Sequence, residues 1–347
     1  MRNFLPEWAP QESILMALPT SATDWEYIID EAQSQYERII RSFTDNGVHV
    51  VLLCHDEEEA KGLLVNCRQD LITYVTCDYN DTWTRDYGPL TVMKDDRLRA
   101  LDFGFNAWGL KFASDKDNLV NLHLYEKSLI PSDKYRNERD FVLEGGSVET
   151  DGEGTILTTT RCLCSPNRNG GLSKQEAEIQ LQRRLGASHV LFLDYGALEG
   201  DDTDSHIDTL ARIAPDNIIY FTGCRNMDDS QFEELLKMRA QLTMFRNAEG
   251  EPFNLVELPL PDAIYDENGD RLPATYANYL VTNNVVFVPT YNQPQNDMLA
   301  MQSMKIAFPD HAVVGIDCTT LIKQHGSLHC ATMQIPENLL NQAIYDR

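Results

Sequence analysis

Positive charge is scarce in this sequence: 29 Lys and Arg stand against 54 Asp and Glu in 347 residues, a formal net charge of −25. Proteins that bind nucleic acid take most of their affinity from basic side chains on phosphates, so no nucleic-acid partner is expected. An anionic membrane surface is disfavoured for the same reason, and a small cation is favoured at encounter. Long apolar runs are missing too. The first apolar patch, Ile14 to Leu18, is too short to span a bilayer, and the start Met1-Arg-Asn-Phe-Leu-Pro-Glu-Trp8 lacks a charged-then-apolar leader. The expectation is a soluble cytoplasmic protein whose eight cysteines are reduced, mostly as small buried hydrophobes. No linker rich in Pro, Gly or Ser divides the chain, so residues 1–347 read as one α/β domain, although the length alone would admit two. Oligomeric state is not legible, and a homo-oligomer stays open.

What is present alternates between helix and strand signals. Asp24 to Phe43 carries an apolar stripe at Ile28, Ile29, Ala32, Tyr36, Ile39, Ile40 and Phe43, and Gly47 ends it. Ser173-Lys-Gln-Glu176 and Ser230-Gln-Phe-Glu233 read as capping boxes opening helices towards Gly186 and Arg246. A further helix is expected over Asn296 to Phe308. The runs Val48–Cys54, Ile72–Cys77, Val190–Leu193, Ile218–Thr222, Val285–Pro289 and Ala312–Ile316 have strand length and β-branched content. Gly146–Thr150 and Thr155–Thr159 form a hairpin about Asp151-Gly-Glu-Gly154. Leu258 to Thr275, with three prolines and Asn268-Gly269, reads as a loop inserted over a site.

Four places carry chemistry. In His325-Gly-Ser-Leu-His-Cys330 the thiol is either a buried structural cysteine or a nucleophile, which needs help to populate its thiolate at neutral pH. The two histidines there, at i and i+4, lack a third ligand at recognisable spacing, so no metal is expected. In Gly200-Asp-Asp-Thr-Asp-Ser-His-Ile-Asp208, an extended backbone would point His206 and Asp208 to one face, bordering the core that Ile207 and Leu210 begin. In Asn80-Asp-Thr-Trp-Thr-Arg-Asp86, Trp83, Arg85 and Asp86 could make a buried salt bridge under an aromatic lid or half of a box for a cation. Glu144 stands before two glycines after the apolar Phe141-Val-Leu143, where burial is expected. Carboxylates, a His and a Cys around one cavity suit a flat cation with several N–H donors, of which guanidinium is one. Attack by Cys, loss of an amine and attack by water would then be ordinary covalent catalysis with His relaying protons.

Six ordered motifs, Asn80–Pro89, Phe103-Gly-Phe-Asn-Ala-Trp-Gly109, Leu143–Ser147, Pro166-Asn-Arg-Asn169, His206-Ile-Asp208 and Leu328-His-Cys330, resemble the agmatine deiminases and the bacterial peptidylarginine-deiminase-like proteins. The resemblance runs from about Glu7 to Pro336. It implies the guanidine-modifying fold, a five-bladed pseudo-fivefold α/β propeller of ββαβ-type modules with a central site and no metal or organic cofactor. It also implies roles: Cys330 as nucleophile, His206 as general acid and base, Asp86 and Asp208 as clamps on the guanidinium nitrogens, and Glu144 as the acid that orients or charges His206. Trp83 would wall the substrate's aliphatic chain and Asp202 would pair with a distal amine. Two stretches depart from the family: His325-Gly-Ser-Leu328 where a Gly-Gly-Gly-Asn run is common, and Asp202-Thr-Asp-Ser205 where Asp-Thr-Asn-Gly is. Both bear on how the substrate's far end is held. Separations of 58 residues from Asp86 to Glu144, 62 to His206 and 124 to Cys330 fit one module length, with a skipped module near residue 268. Agmatine is the expected substrate, because an arginine-directed site would want a free basic residue and the motifs offer only Arg85 and Arg212, both among acids. Deimination of free or peptidyl arginine, or silent guanidine binding, are the alternatives.

Overall fold

Five mixed sheets, all of one plan, make up the protein in the computed structural model, which describes residues 2–345. Each contains an antiparallel pair whose second strand continues, through a crossover, into a parallel third. The plan is plainest in Val148–Thr150, Thr155–Thr159 and His189–Leu193, then in Ala211–Ala214, Ile218–Gly223 and Asn254–Pro259, then in Leu280–Val281, Val285–Thr290 and Ala312–Asp317. Leu90–Lys94, Arg97–Gly104 and Tyr135–Val142 repeat it, with Arg2–Phe4 added at the edge. The fifth sheet joins distant parts of the chain. Met333–Pro336 lies antiparallel to Gln11–Ala17, which leads through a helix to the parallel strands Val50–Cys54 and Ile72–Thr76.

The crossover helices form where the apolar stripe demands. In Ile29–Asp45 the stripe Ala32, Tyr36, Ile39, Ile40 and Phe43 is fully buried, and the ring of Phe43 meets that of Phe287 at 4.7 Å across sheets. Lys174–Leu185 starts on the expected box of Ser173 and Glu176 and stops at Gly186, whose φ is +87°. A Cβ there would also fall 2.0 Å from the carbonyl oxygen of Arg2, so backbone conformation and close approach both require glycine. The box at Ser230 does not form. Asp229, gripped by Arg271, accepts the Gln231 N–H at 2.9 Å instead, and the helix runs over Phe232–Leu242. The helix expected at Asn296–Phe308 is Pro294–Met304.

The apolar runs are strands as expected. Val50–Cys54 is buried at all five positions, as an inner strand between Gln11–Ala17 and Ile72–Thr76. Leu258–Thr275 is not all loop: it begins inside Asn254–Pro259, with Leu258 fully buried, its stretch Pro259–Ala263 and Arg271 line a surface cleft with Arg225 and Asp229, and its end lies against Thr209, to whose carbonyl Thr275 donates at 3.0 Å. Among the described residues no helix is long and apolar enough to cross a membrane.

Candidate active site

The chemical side chains stand at one recurring place, in the turn just before the first strand of each antiparallel pair. Asp86 lies on the helical turn Thr84–Tyr87 ahead of Leu90, and Glu144 opens the turn Gly145–Ser147 ahead of Val148. His206 caps, and Asp208 lies within, the turn Ile207–Thr209 ahead of Ala211. Asn278 precedes Leu280 and Cys330 precedes Met333. His206 and Asp208 therefore converge through a 3₁₀ turn and not along the extended backbone expected.

Cys330 and Asp86 line a cleft of about 450 Å³, mouth included, together with Asp24, Asp81, Trp83, Trp108, Phe112, Asp202, Thr203, Thr209, Gln324, His325 and Gly326. Trp83 packs flat under Gly326, where a Cβ would fall 2.3 Å from its ring. Arg85 turns away from the cleft to Glu7 and Gln334, so it is not a salt-bridge partner of Asp86. Asp86 instead accepts the Gly146 N–H on Oδ1 and the Trp108 indole N–H on Oδ2, both at 2.9 Å.

Behind the cleft His206, Asp208 and Glu144 are each 1% exposed. The Cys330 Sγ lies 3.3 Å from Asn278 Nδ2 and 3.7 Å from Asp208 Oδ2. Burial and the charges of Asp208 and Asp86 push this thiol well above its ordinary pKa, so it rests protonated. Burial alone would lower the pKa of His206, but Asp86, 3.6 Å from Nδ1, together with Cys162 and Glu144, outweighs it and holds the ring as an imidazolium. Glu144 stays ionised despite burial because Arg168 Nε donates to both its oxygens at 2.9 Å. Burial raises Asp86 and Asp202, the latter opposed by His325. In Asp208 the contact with His329 overcomes burial and lowers the pKa. Within this group of side chains, His206 Nε2 and Asp208 Oδ1 have no hydrogen-bond partner.

The chain matches the Porphyromonas-type peptidyl-arginine deiminase family over residues 3–336. It belongs to that family. A "Putative agmatine deiminase" of Legionella pneumophila is 33% identical, the match covering 96% of this chain and 94% of that protein. Among solved structures, the "Putative Arginine Deiminase from Porphyromonas gingivalis" is 43% identical with a TM-score of 0.92, covering 98% of this chain and all of the other. The "C. Jejuni Agmatine Deiminase" is 35% identical with a TM-score of 0.87, covering 98% of this chain and 97% of the other.

Within this deiminase, the residues singled out from sequence all stand at or directly behind the cleft: Cys330, Asp86, Trp83 and Asp202 on its wall, His206, Asp208 and Glu144 behind. Sequence reasoning missed Asn278 and Cys162, and gave no role to Trp108 and Arg168 although both stand in its motifs. Asn278 belongs to the module sought near residue 268, and lies 70 residues after Asp208 and 52 before Cys330. Its Oδ1 accepts the N–H of His329 at 2.9 Å and of Cys330 at 3.3 Å. His329 sits on a turn, with Nδ1 2.8 Å from Asp208 Oδ2. Its ring does not meet that of His325, whose Nδ1 bonds the Gly200 carbonyl. Glu144, Cys162 and His206 offer three metal-ligand atoms within 4.8 Å, but Arg168 already supplies the cation that Glu144 faces.

Proposed function

We propose that this chain is an agmatine deiminase, converting agmatine and water to N-carbamoylputrescine and ammonia. The lining of the cleft carries the reading: four aspartates and two tryptophans, with no Lys or Arg among the described lining residues. A guanidinium held at Cys330 leaves an aliphatic chain beside Trp83 and a distal group beside Asp24, Asp81 and Asp202. An ammonium suits that end and an α-carboxylate does not. The two arginines of the motifs are engaged elsewhere, Arg85 with Glu7 and Arg212 with Glu7 and Glu149.

Asp86 and the unpartnered Oδ1 of Asp208 accept guanidinium N–H groups. The bound cation offsets the two negative charges that keep Cys330 protonated, so its proton passes to solvent at the cleft and the thiolate attacks the guanidinium carbon, giving a tetrahedral adduct. His206, an imidazolium, passes its proton to the departing ammonia. Neutral His206 then takes a proton from water, whose hydroxide adds to the amidino-thioether; the C–S bond breaks, and the proton shed from the new hydroxyl as the ureido product forms returns the Cys330 thiolate to the thiol. Glu144, fixed by Arg168 and 3.9 Å from His206 Nε2, supports the imidazolium that each cycle restores. The five like sheets support the further reading that they close into a five-bladed propeller around this site.

Mass spectrometry of acid-quenched protein during turnover tests the mechanism: an amidino adduct on Cys330 is expected. Ammonia release from agmatine, free arginine and a peptidyl arginine tests the substrate, and no turnover of agmatine above background would overturn the assignment.

A further inference from the structure

Behind the cleft, on the side away from the substrate, lies a charged cluster that the reaction above does not use. Glu7, from the segment before the first long strand, directs Oε1 to His329 Nε2 at 2.6 Å and accepts there from Arg85 Nη1 at 3.0 Å. Its Oε2 accepts from Arg212 Nη2 at 2.5 Å and from Gln334 Nε2 at 3.0 Å. The other nitrogen of His329, Nδ1, faces Asp208 Oδ2 at 2.8 Å, and the ring is fully buried.

This geometry dictates a charge state. An ionised carboxylate only accepts, and a neutral imidazole carries one N–H, so a neutral His329 would set a lone pair against a carboxylate oxygen at one of its two short contacts. Glu7 is ionised: burial is outweighed by Arg212, His329 and Arg85, and its carboxyl lies well below the ordinary range. Asp208 is ionised for the corresponding reason. Arg212 Nη2 has two N–H groups, one donated to Glu7 Oε2 and one within reach of His329 Nε2 at 3.0 Å, but a lone pair on Nε2 would still face Glu7 Oε1 at 2.6 Å; Arg212 Nη1 serves the carbonyls of Ala277 and Tyr279 and its Nε serves Glu149. Arg85 Nε reaches the backbone oxygen of His329 at 3.4 Å. Glu149, whose carboxyl burial raises, also stands within 4.8 Å of the ring and of Glu7 and accepts from Arg212 Nε, and Asn278 holds the backbone N–H groups of His329 and Cys330.

We propose that Glu7 is a positioning residue: by accepting from Nε2 it keeps His329 an imidazolium, which pins Oδ2 of Asp208 and leaves Oδ1 to receive the guanidinium. The role of Oδ1 rests on the functional reading above. Glu7 touches none of the reacting groups and reaches the clamp through His329, and neither it nor its other partners Arg85, Arg212 and Gln334 line the cleft.

Two measurements test it. In protein labelled with ¹⁵N-histidine, with the His329 signals assigned by their loss in His329→Gln, both ring nitrogens are expected to be protonated at pH 7.5 in the wild type. In Glu7→Gln, one becomes unprotonated. Calorimetry with methylguanidinium on the Cys330→Ser protein is expected to show at least tenfold weaker binding when Glu7→Gln is added, with Glu7→Asp intermediate. A wild-type His329 with one protonated nitrogen overturns the proposal even if the variants fail to fold. So does binding within twofold of the parent in Glu7→Gln, or weakened binding with the imidazolium retained. Neither readout uses agmatine turnover, so a wild type inactive on agmatine would sink the substrate assignment and leave this test standing.

Discussion

Gly146 donates its backbone N–H to Asp86 Oδ1 at 2.9 Å, and the absence of a side chain on it is what lets that carboxylate share space with His206. A Cβ on Gly146 would lie 2.8 Å from His206 Nδ1, 2.9 Å from Asp86 Oδ1 and 3.0 Å from Asp208 Oδ2. One methyl group would press on the acid–base histidine and on both clamps together. Gly146→Ala is therefore expected to lower kcat by about 100-fold, the scale on which misplacing reacting groups by about 1 Å acts. Steady-state kinetics checks this, and a variant within threefold of wild type would show that the three side chains yield without cost.

Asn278 is placed to act on the nucleophile more than on the substrate. Asn278→Ala removes the donor 3.3 Å from the Cys330 sulfur and the acceptor for two backbone N–H groups. A fall in kcat of about 10–100-fold is expected, somewhat below the cost of losing a donor aimed at developing charge, with KM nearly unchanged. A rise in KM alone would assign Asn278 to binding instead.

The distal end of the cleft has its own signature. Asp202→Asn is expected to raise KM for agmatine about tenfold, equivalent to about 1.4 kcal/mol. It should leave butylguanidine, which lacks the amine, unaffected. Equal effects on both compounds would move the amine away from Asp202.

Several buried groups give stability a definite pH slope. Burial raises the carboxyl of Asp117 to about 7 and that of Asp81 to about 8. Each binds its proton more tightly folded than unfolded, where carboxyls titrate near 4, so stability falls as pH rises from about 4 to about 8. His206, raised above its ordinary value, adds in the same direction, its contribution being complete below about 6.5 and lost as pH climbs through the folded pKa. Asp117→Asn keeps an acceptor for the N–H groups of Asn80 and Asp81 and removes one of these titrations. Scanning calorimetry from pH 5 to 8 should show Tm falling less steeply in the variant. An unchanged slope would mean Asp117 is ionised when folded.

Much of this was legible in the residues, for physical reasons. Inner strands such as Val50–Cys54 and Ile218–Gly223 are buried at every position and so read as apolar runs, and the long helices announce themselves by stripe and cap. Tyr135–Val142, with the sequence Tyr-Arg-Asn-Glu-Arg-Asp-Phe-Val, carries no such signal because it lies at a sheet edge, mostly half-exposed. The cap at Ser230 misled because the neighbouring Asp229, bound to Arg271, competes for the same backbone donors. At the site, Cys330, His206 and the acids stood out by residue type. Asn278, uncharged and inside Tyr-Ala-Asn-Tyr, did not, although module spacing pointed within ten or so residues of it. Glu7, the partner of His329 from the far end of the chain, has no local pattern at all, since only tertiary closure brings the two together.

That closure has a consequence for how the protein comes into being. Gln334 and Glu7, joined by a hydrogen bond, are 327 residues apart in the sequence, and the strand that carries Gln334 pairs with Gln11–Ala17. A nascent chain emerging from the ribosome can pair the hairpins of the three inner sheets as they appear, since those contacts are local. It cannot seat Cys330 against Asp208 until the last strand is released, and loop closure over such a span is a late step. The thiol is thus withheld from its partners through nearly all of synthesis, and a chain truncated before Met333 would hold every acidic group of the site yet have no sheet on which to anchor its nucleophile.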